Sequence, residues 1–292
     1  MTRILVTGTL AFDDIGLTAT PWADADRNIK LDHLHRQFGG CAGNLSYTLK
    51  LLGDDPVPLA QVGGVDFEPY RQHLQALGIN LRAIRIIDSM MCSRGLVLTD
   101  PSGDQFTAFF PGPAEAEDIS VQLSLVRIED FDGAIIAPDL PGKMLALRQA
   151  IGGLPAMWCP GQYSEQLTPT MVEGCAAGLD MLVLNRRELE HLYRVIDPAW
   201  LDKAVATIII TDGPRPVEVR SAAHRNVYDV PRVVSPIDPT GCGDAFAATM
   251  FHHFLRDRVL NDARPNAATA IKAACRVAAA CLQTRGGQNH SI

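Results

Sequence analysis

From residue 133 onward the chain repeats one unit. A short apolar run is followed by a segment with helical spacing, and then by another apolar run. Gly133–Ala137, Ala156–Cys159, Met181–Leu184 and Ala206–Ile210 read as strands. Lys143–Ile151, Glu165–Ala177 and Arg187–Val195 read as the helices between them. Strands built from Ile, Leu and Val without polar alternation are covered on both faces. Strands that alternate with helices form βαβ units, which make a parallel sheet. The expected fold is therefore α/β, a central mostly parallel sheet with helices on both faces.

The first half of the chain keeps this rhythm less strictly. Ile4–Leu10 reads as the first strand, with Asp13 in the loop after it. A helix over 41–52 follows Gly39-Gly40, with Leu45, Leu49 and Leu52 on one face and Gly53 as its stop. Pro58–Val62 is the next strand, and Phe67–Leu77 a helix closed by Gly78. Residues 83–87, 94–99 and 105–110 are strand-like. The departures cluster at about 11–37 and 89–112. Both stretches are polar and strand-rich, and suit a small β-rich lid inserted into a single domain spanning 1–292. Near the C-terminus, 216–220 and 226–230 suggest a hairpin. Long helices run from Gly243 to about Arg256 and from Pro265 to about Arg285, the second stopped by Gly286.

Composition excludes several classes. The chain has 292 residues, 47% hydrophobic and 20% charged, as soluble globular domains do. A net charge of −7 argues against a nucleic-acid or anionic-membrane binder. No apolar run approaches the ~20 residues of a membrane span, and Met1–Gly8 reads as a strand rather than a signal peptide. The seven cysteines are odd in number and include no Cys-x-x-Cys pair. Reduced thiols in a cytoplasmic protein are the expectation.

Residues 238–246, Asp-Pro-Thr-Gly-Cys-Gly-Asp-Ala-Phe, carry the strongest chemical signal. Gly241 and Gly243 allow a tight turn and close backbone approach to a ligand. The free N–H groups of a helix's first turn, here those of Gly241, Cys242 and Gly243, form an anion trap. Asp244 sits in that turn. A carboxylate beside a trap for negative charge makes sense if it removes a proton while the trap holds the charge that develops. The plainer alternative is an ordinary first-turn acid.

Three further groups precede that turn in sequence. Gly39-Gly40-Cys41-Ala42-Gly43-Asn44 opens a helix, so that a small ligand can lie against the backbone and Asn44. Asn185 and Glu188, spaced i, i+3 at a helix start, offer oxygens to hydrated Mg²⁺. The same spacing is also a capping box. Thr211-Asp212-Gly213 is a tight turn at a strand end. In parallel sheets ligands bind outside the carboxyl ends of strands, where these loops lie.

Together and in this order, these groups resemble the ribokinase family of carbohydrate and nucleoside kinases, over essentially the whole chain. The resemblance implies the ribokinase-like fold and an ATP-dependent phosphotransferase. By it, Asp244 would be the base, with Gly241, Cys242 and Gly243 as the anion hole. Asp13, Gly39, Gly40 and Asn44 would bind substrate. Asn185, Thr211, Gly213, Gly241 and Gly243 would border ATP, and Asn185 and Glu188 would position Mg²⁺ through water. A monovalent cation such as K⁺ would bind between Ser235–Asp238 and Arg285–Gln288.

Within the family, Gly8–Asp13, Phe38–Asn44, Thr107–Gly112 and Asp238–Gly241 look most like bacterial adenosine kinases. Departures occur in a shorter 14–37 segment, at Cys159-Pro160-Gly161-Gln162, and at Pro214 and Pro216 after Gly213. The expected reaction is phosphorylation of the primary, 5′-type hydroxyl of a ribose-bearing substrate, most simply adenosine to AMP. A ribokinase- or fructokinase-type sugar kinase is the second reading. A catalytically weak ligand-binding regulator is the third. Trp22, Phe106, Phe109 and Phe110 would cover the substrate or build a lid-to-lid homodimer. His33 and His35 share one side of a strand and read as surface or lid-interface residues.

Overall fold

The computed structural model describes residues 1–21, 24, 28–102, 105–116, 118–221, 224–260 and 267–292. Trp22 and the expected helix start at Pro265 lie outside the described residues. In chain order the elements are β1 (Arg3–Thr7), β2 (Ala11–Leu17), β3 (His33–Gly39), α1 (Cys41–Leu51), β4 (Asp55–Gly63), α2 (Glu68–Ala76), β5 (Ile84–Ile87), β6 (Ser93–Thr99), β7 (Gln105–Phe110), α3 (Ser120–Leu123), β8 (Gly133–Ile136), α4 (Pro141–Ile151), β9 (Ala156–Trp158), α5 (Pro169–Ala176), β10 (Leu179–Asn185), α6 (Arg186–Tyr193), α7 (Pro198–Ala204), β11 (Val205–Asp212), β12 (Arg215–Ser221), β13 (Arg225–Tyr228), α8 (Cys242–Leu260) and α9 (Ala267–Leu282).

The large sheet has the strand order β13-β12-β11-β10-β9-β8-β1-β4-β5. Strands β11 through β5 in that order pair in parallel, and β12 and β13 add an antiparallel edge. Alternate side chains divide between two cores, as the strand period of two requires. Ile4, Val6, Ile135, Val183 and Ile209 enter one core, shared with α1, α2, α8 and α9. Leu5, Ala134, Ile136, Leu184 and Ile210 enter the other, shared with α4 to α7. The chain returns past its starting point between β4 and β8, so β1 lies at the place where strand order reverses. That is where a crevice opens in such sheets.

The two stretches that interrupt the alternation build one separate sheet, ordered β3-β2-β6-β7. Its register is continuous, with Asp13 opposite Gln37 on β3 and Gly95 on β6. Asp13 therefore lies within strand β2, not in a loop after the first strand. The same register separates the aromatics. Phe109 pairs with Gly95 and shares the face of Asp13, while Phe106 and Phe110 share the opposite face with Leu34 and Leu96. That opposite face is solvent-exposed at all four residues.

Other boundaries also move. The helix expected from Glu165 begins at Pro169, after a 3₁₀ turn over Gly161–Gln166 and with Thr168 as its N-cap. The proline fixes that start, because it has no N–H to give and its φ suits the first turn. Helix α7 was not expected from the sequence. It is capped by Asp197, whose side chain accepts from the Trp200 amide at 2.9 Å. No helix among the described residues is long and apolar enough to cross a membrane.

Gly43 illustrates how tightly α1 is set. A Cβ there would lie 2.0 Å from the Tyr70 hydroxyl, and Tyr70 is fully buried. Replacing an exposed mid-helix glycine by alanine normally stabilises by up to ~1 kcal/mol. Here Gly43→Ala is expected to lower stability by about 1–3 kcal/mol through overpacking. The urea midpoint checks it, and an unchanged or raised midpoint would contradict the packing described.

Candidate active site

The first turns of α1 and α8 meet. Asn44 Nδ2 donates to Asp244 Oδ2 at 2.8 Å, joining residues 200 positions apart. Gly40 makes the entry to α1 possible. Its φ is +82°, and a Cβ would lie 2.3 Å from the Thr9 carbonyl oxygen. At α8 the same device recurs. Gly241 has φ +77°, and a Cβ there would meet the Gly287 Cα at 2.5 Å.

The α8 N-terminus supplies donors. The amides of Gly241, Gly243 and Asp244 find no backbone acceptor among the described residues. The Cys242 amide donates to the Pro239 carbonyl at 3.2 Å, a turn bond that takes it out of the free set. No Cβ at Gly243 would touch anything within 4 Å, so open space faces this turn. Asp238 braces it, accepting from the Thr240 amide at 2.9 Å and the Gly286 amide at 2.8 Å. Both oxygens of Asp238 are thus engaged by the two loops between which the monovalent-cation site was expected.

Asp13 occupies a slot made by missing side chains. A Cβ on Gly39 would lie 1.9 Å from its Oδ2, and one on Gly95 would lie 2.9 Å from its Oδ1. Burial pushes its carboxyl up to about 7, and the charges of Asp238, Asp244 and Asp14 add to the rise. Burial likewise pushes Asp244 up to about 6, opposed by hydrogen bonds from Asn44 and Cys41 and assisted by the charge of Glu188. Asp13 therefore feels the charge of Asp244, and Asp244 that of Glu188. Carboxyls held near neutrality in a cleft are poised to exchange protons.

Asn185 and Glu188 form a complete capping box at the start of α6. Asn185 Oδ1 accepts from the Glu188 amide at 2.9 Å, and Glu188 Oε2 accepts from the Asn185 amide at 3.0 Å. Asn185 Nδ2 also donates to Glu188 Oε1 at 2.7 Å. Burial raises the Glu188 carboxyl, against the opposing Asn185 amide. Each oxygen retains a lone pair for a water hydrogen, which fits outer-sphere holding of Mg²⁺. Among the described residues there is no cluster of three or more His, Cys, Asp or Glu side chains that could hold a metal directly. Thr211 pairs in register with Asn185 at the ends of β11 and β10. Gly213 follows with φ +57° and open space around it.

Residues the sequence reading missed surround these groups. Cys41 lies beside Asp244, and its thiol is pushed well up by burial and by that charge. Tyr70, His73 and Gln288 converge behind Asn44. Only Gln288 carried a sequence signal, as part of the loop after the last helix. His33 and His35 stack with ring centroids 6.1 Å apart, and Arg285 Nη1 lies 3.3 Å from His35 Nε2.

With this geometry in view, the chain's relationships are clear. The sequence profile described as pfkB family carbohydrate kinase matches residues 1–292. The chain belongs to that family. It is 23% identical over 265 residues to a nucleoside kinase of Methanocaldococcus jannaschii, covering 88% of this chain and 84% of that one. It is 26% identical over 277 residues to an ATP-dependent ribose-1-phosphate kinase of Halopiger xanaduensis, covering 88% and 86%. Its fold is similar to the structure of Burkholderia thailandensis nucleoside kinase in complex with inosine, with a TM-score of 0.86 at 25% identity and coverage of 99% and 93%.

The raised Asp13 carboxyl has a consequence for stability. Between about pH 4 and about pH 7 the folded state keeps a proton that the unfolded chain releases. Stability contributed by that proton is lost as pH rises through this window. Asp13→Asn is therefore expected to be more stable than the parent at pH 8, by at least ~1 kcal/mol, with the gain fading toward pH 4. Paired urea melts at the two pH values check this, and equal differences at both would contradict it.

Proposed function

We propose that this chain is an ATP- and Mg²⁺-dependent kinase that phosphorylates the primary hydroxyl of a ribose-bearing substrate. A purine nucleoside is the leading acceptor, with adenosine first to be tried. The observation that carries the reading is the Asn44–Asp244 hydrogen bond at 2.8 Å beside the unpaired amides of the α8 N-terminus. A partly buried carboxylate is held by an amide donor next to a cradle for negative charge.

Asp13 and Asn44 would hold ribose hydroxyls, with Gly39 and Gly95 leaving room for the Asp13 carboxylate in its slot. The substrate hydroxyl passes its proton to Asp244 as its oxygen bonds to the γ-phosphorus. The bond from that phosphorus to the bridging oxygen breaks, and ADP leaves with the electron pair. The Gly241, Gly243 and Asp244 amides would take the charge on the transferring group. Asn185 and Glu188 would hold hydrated Mg²⁺, which supplies further neutralisation there. Thr211 and Gly213 would border the nucleotide. The second sheet would serve as a lid excluding water, with Phe109 on its inner face. Its outer face, with Leu34, Leu96, Phe106 and Phe110, would be covered by a second copy of the chain.

Similarity to nucleoside kinases, one of them seen with inosine, supports the nucleoside reading. The ribose-1-phosphate kinase relative, at 26% identity, supports a sugar or sugar-phosphate acceptor as the second reading. ADP release measured with ATP, Mg²⁺ and adenosine, inosine, other nucleosides, ribose, ribose 1-phosphate or hexoses separates them. Turnover of nucleosides is expected. Turnover of sugars alone would move the acceptor to the second reading, and binding without any turnover would leave a regulator. Asp244→Asn is expected to lower kcat by at least ~10²-fold. Near-full activity in that variant would remove the role given to Asp244.

A further inference from the structure

Behind Asn44 runs a chain of side-chain hydrogen bonds, buried except at its half-buried His73 end, that the phosphoryl-transfer chemistry does not itself require. His73 Nε2 lies 3.0 Å from Gln288 Oε1. Gln288 Nε2 lies 3.3 Å from Asn44 Oδ1 and 2.6 Å from the Tyr70 hydroxyl. Tyr70 donates to the Gly39 carbonyl at 2.7 Å. Asn44, Gln288 and Tyr70 are 4%, 2% and 0% exposed, so water does not substitute for these partners.

The direction of each bond follows from the donors available. A backbone carbonyl only accepts, so the single Tyr70 proton goes to Gly39. The Tyr70 oxygen must then accept, which turns the Gln288 NH₂ toward it and toward Asn44 Oδ1. That leaves Gln288 Oε1 facing His73, whose Nε2 must carry a proton. Burial lowers the His73 pKa, with the Gln288 bond opposing. A neutral ring with its hydrogen on Nε2 satisfies both demands. With Asn44 Oδ1 fixed as an acceptor, its NH₂ faces Asp244. An amide can flip end for end at little cost of its own. Here the flip would set two NH₂ groups, or two oxygens, against each other.

We propose that Gln288 and His73 are positioning residues for the phosphoryl transfer, locking the Asn44 amide so that it donates to Asp244. The inference rests on the reading of Asp244 as the base. The ring of His73 stacks on Phe38 at 4.1 Å, so this anchor is itself held in place. Gly43 and Gly287 clear the space. A Cβ on Gly43 would lie 2.7 Å from Gln288 Nε2, and one on Gly287 would lie 2.5 Å from Asn44 Oδ1. The other titrating groups whose fields meet that of Asp244 are Cys41, Cys159, Glu188, Cys242, Cys281, Tyr70 and Asp13. None of them is itself substituted in the His73 and Gln288 variants, and only Tyr70 loses a partner, in Gln288→Leu.

The test compares pH–rate profiles of His73→Phe, Gln288→Leu, His73→Gln and Asp244→Asn with the parent enzyme, using whichever acceptor the panel yields. His73→Phe keeps a ring against Phe38 and removes only the donor. His73→Gln restores an N–H donor. Once the lock is lost, Asn44 no longer favours the charged form of Asp244, so the acid limb of kcat should move upward by up to about one pH unit. The maximal kcat should fall about 10-fold in His73→Phe and Gln288→Leu, with the KM for ATP within about twofold of the parent, since uniform binding is untouched. His73→Gln should recover most of both. The acid-limb midpoint does not depend on how much of a preparation is folded, so it reads the lock even in a weakened variant. An inactive Asp244→Asn beside unmoved acid limbs in both His73→Phe and Gln288→Leu overturns the lock while leaving the base reading standing. An active Asp244→Asn overturns the base reading and the lock together.

Discussion

The hydrogen bond between Asn44 and Asp244 is the point on which the site depends. It forms where the first turns of two helices approach, one from each end of the chain. Helix α1 follows strand β3 of the second sheet, and α8 follows the antiparallel edge of the large sheet. Both pack into the same core, with Leu45 and Leu49 of α1 and Phe246, Met250 and Phe251 of α8 among its residues. The burial of those side chains fixes the helices, and the helix starts inherit that precision. An amide donor and a carboxylate are thereby presented together, beside amides with no backbone acceptor among the described residues.

The cost of this arrangement is a concentration of negative charge. Asp13, Asp238, Asp244 and Glu188 share one region; neighbouring charges add to the rise that burial gives Asp13, and the charge of Glu188 does so at Asp244 against the hydrogen bonds made there. The fold tolerates this by different means at each position. Asp238 is spent on two backbone amides. Glu188 is held by Asn185. Asp244 has Asn44. Asp13 sits against Gly39 and Gly95, and carries the higher of the two values. A substrate offering hydroxyl donors and a hydrated cation both suit such a cleft, which makes charge an argument for the proposed chemistry as well as geometry.

Much of this was legible in the sequence, for physical reasons. The strand–helix alternation gives the parallel sheet because burial on both faces leaves no room for polar alternation. Gly40 and Gly241 could be picked out because only glycine adopts their left-handed φ without strain. Asn185 and Glu188 were legible as a capping box and prove to be one. Other features were not legible. Asp13 reads as loop because β2 is interrupted by Asp14 and Gly16, and only its pairing with β3 and β6 makes it strand. Helix α7 is short and its burial rests on few residues. Tyr70, His73 and Gln288 carry no local signal as a group, because their association joins α2 to the loop after α9. Gly43 and Gly95 matter for what approaches them, and that is a property of the folded chain.

The central claim is that burial and neighbouring charge make Asp244 a base that titrates near neutrality while Asn44 holds it. The most direct measurement is a ¹³C NMR titration of Asp carboxyl carbons, with the Asp244 resonance assigned by its loss in Asp244→Asn. The account predicts a midpoint of about 6 for that resonance. A midpoint in the ordinary range near 4 would contradict it.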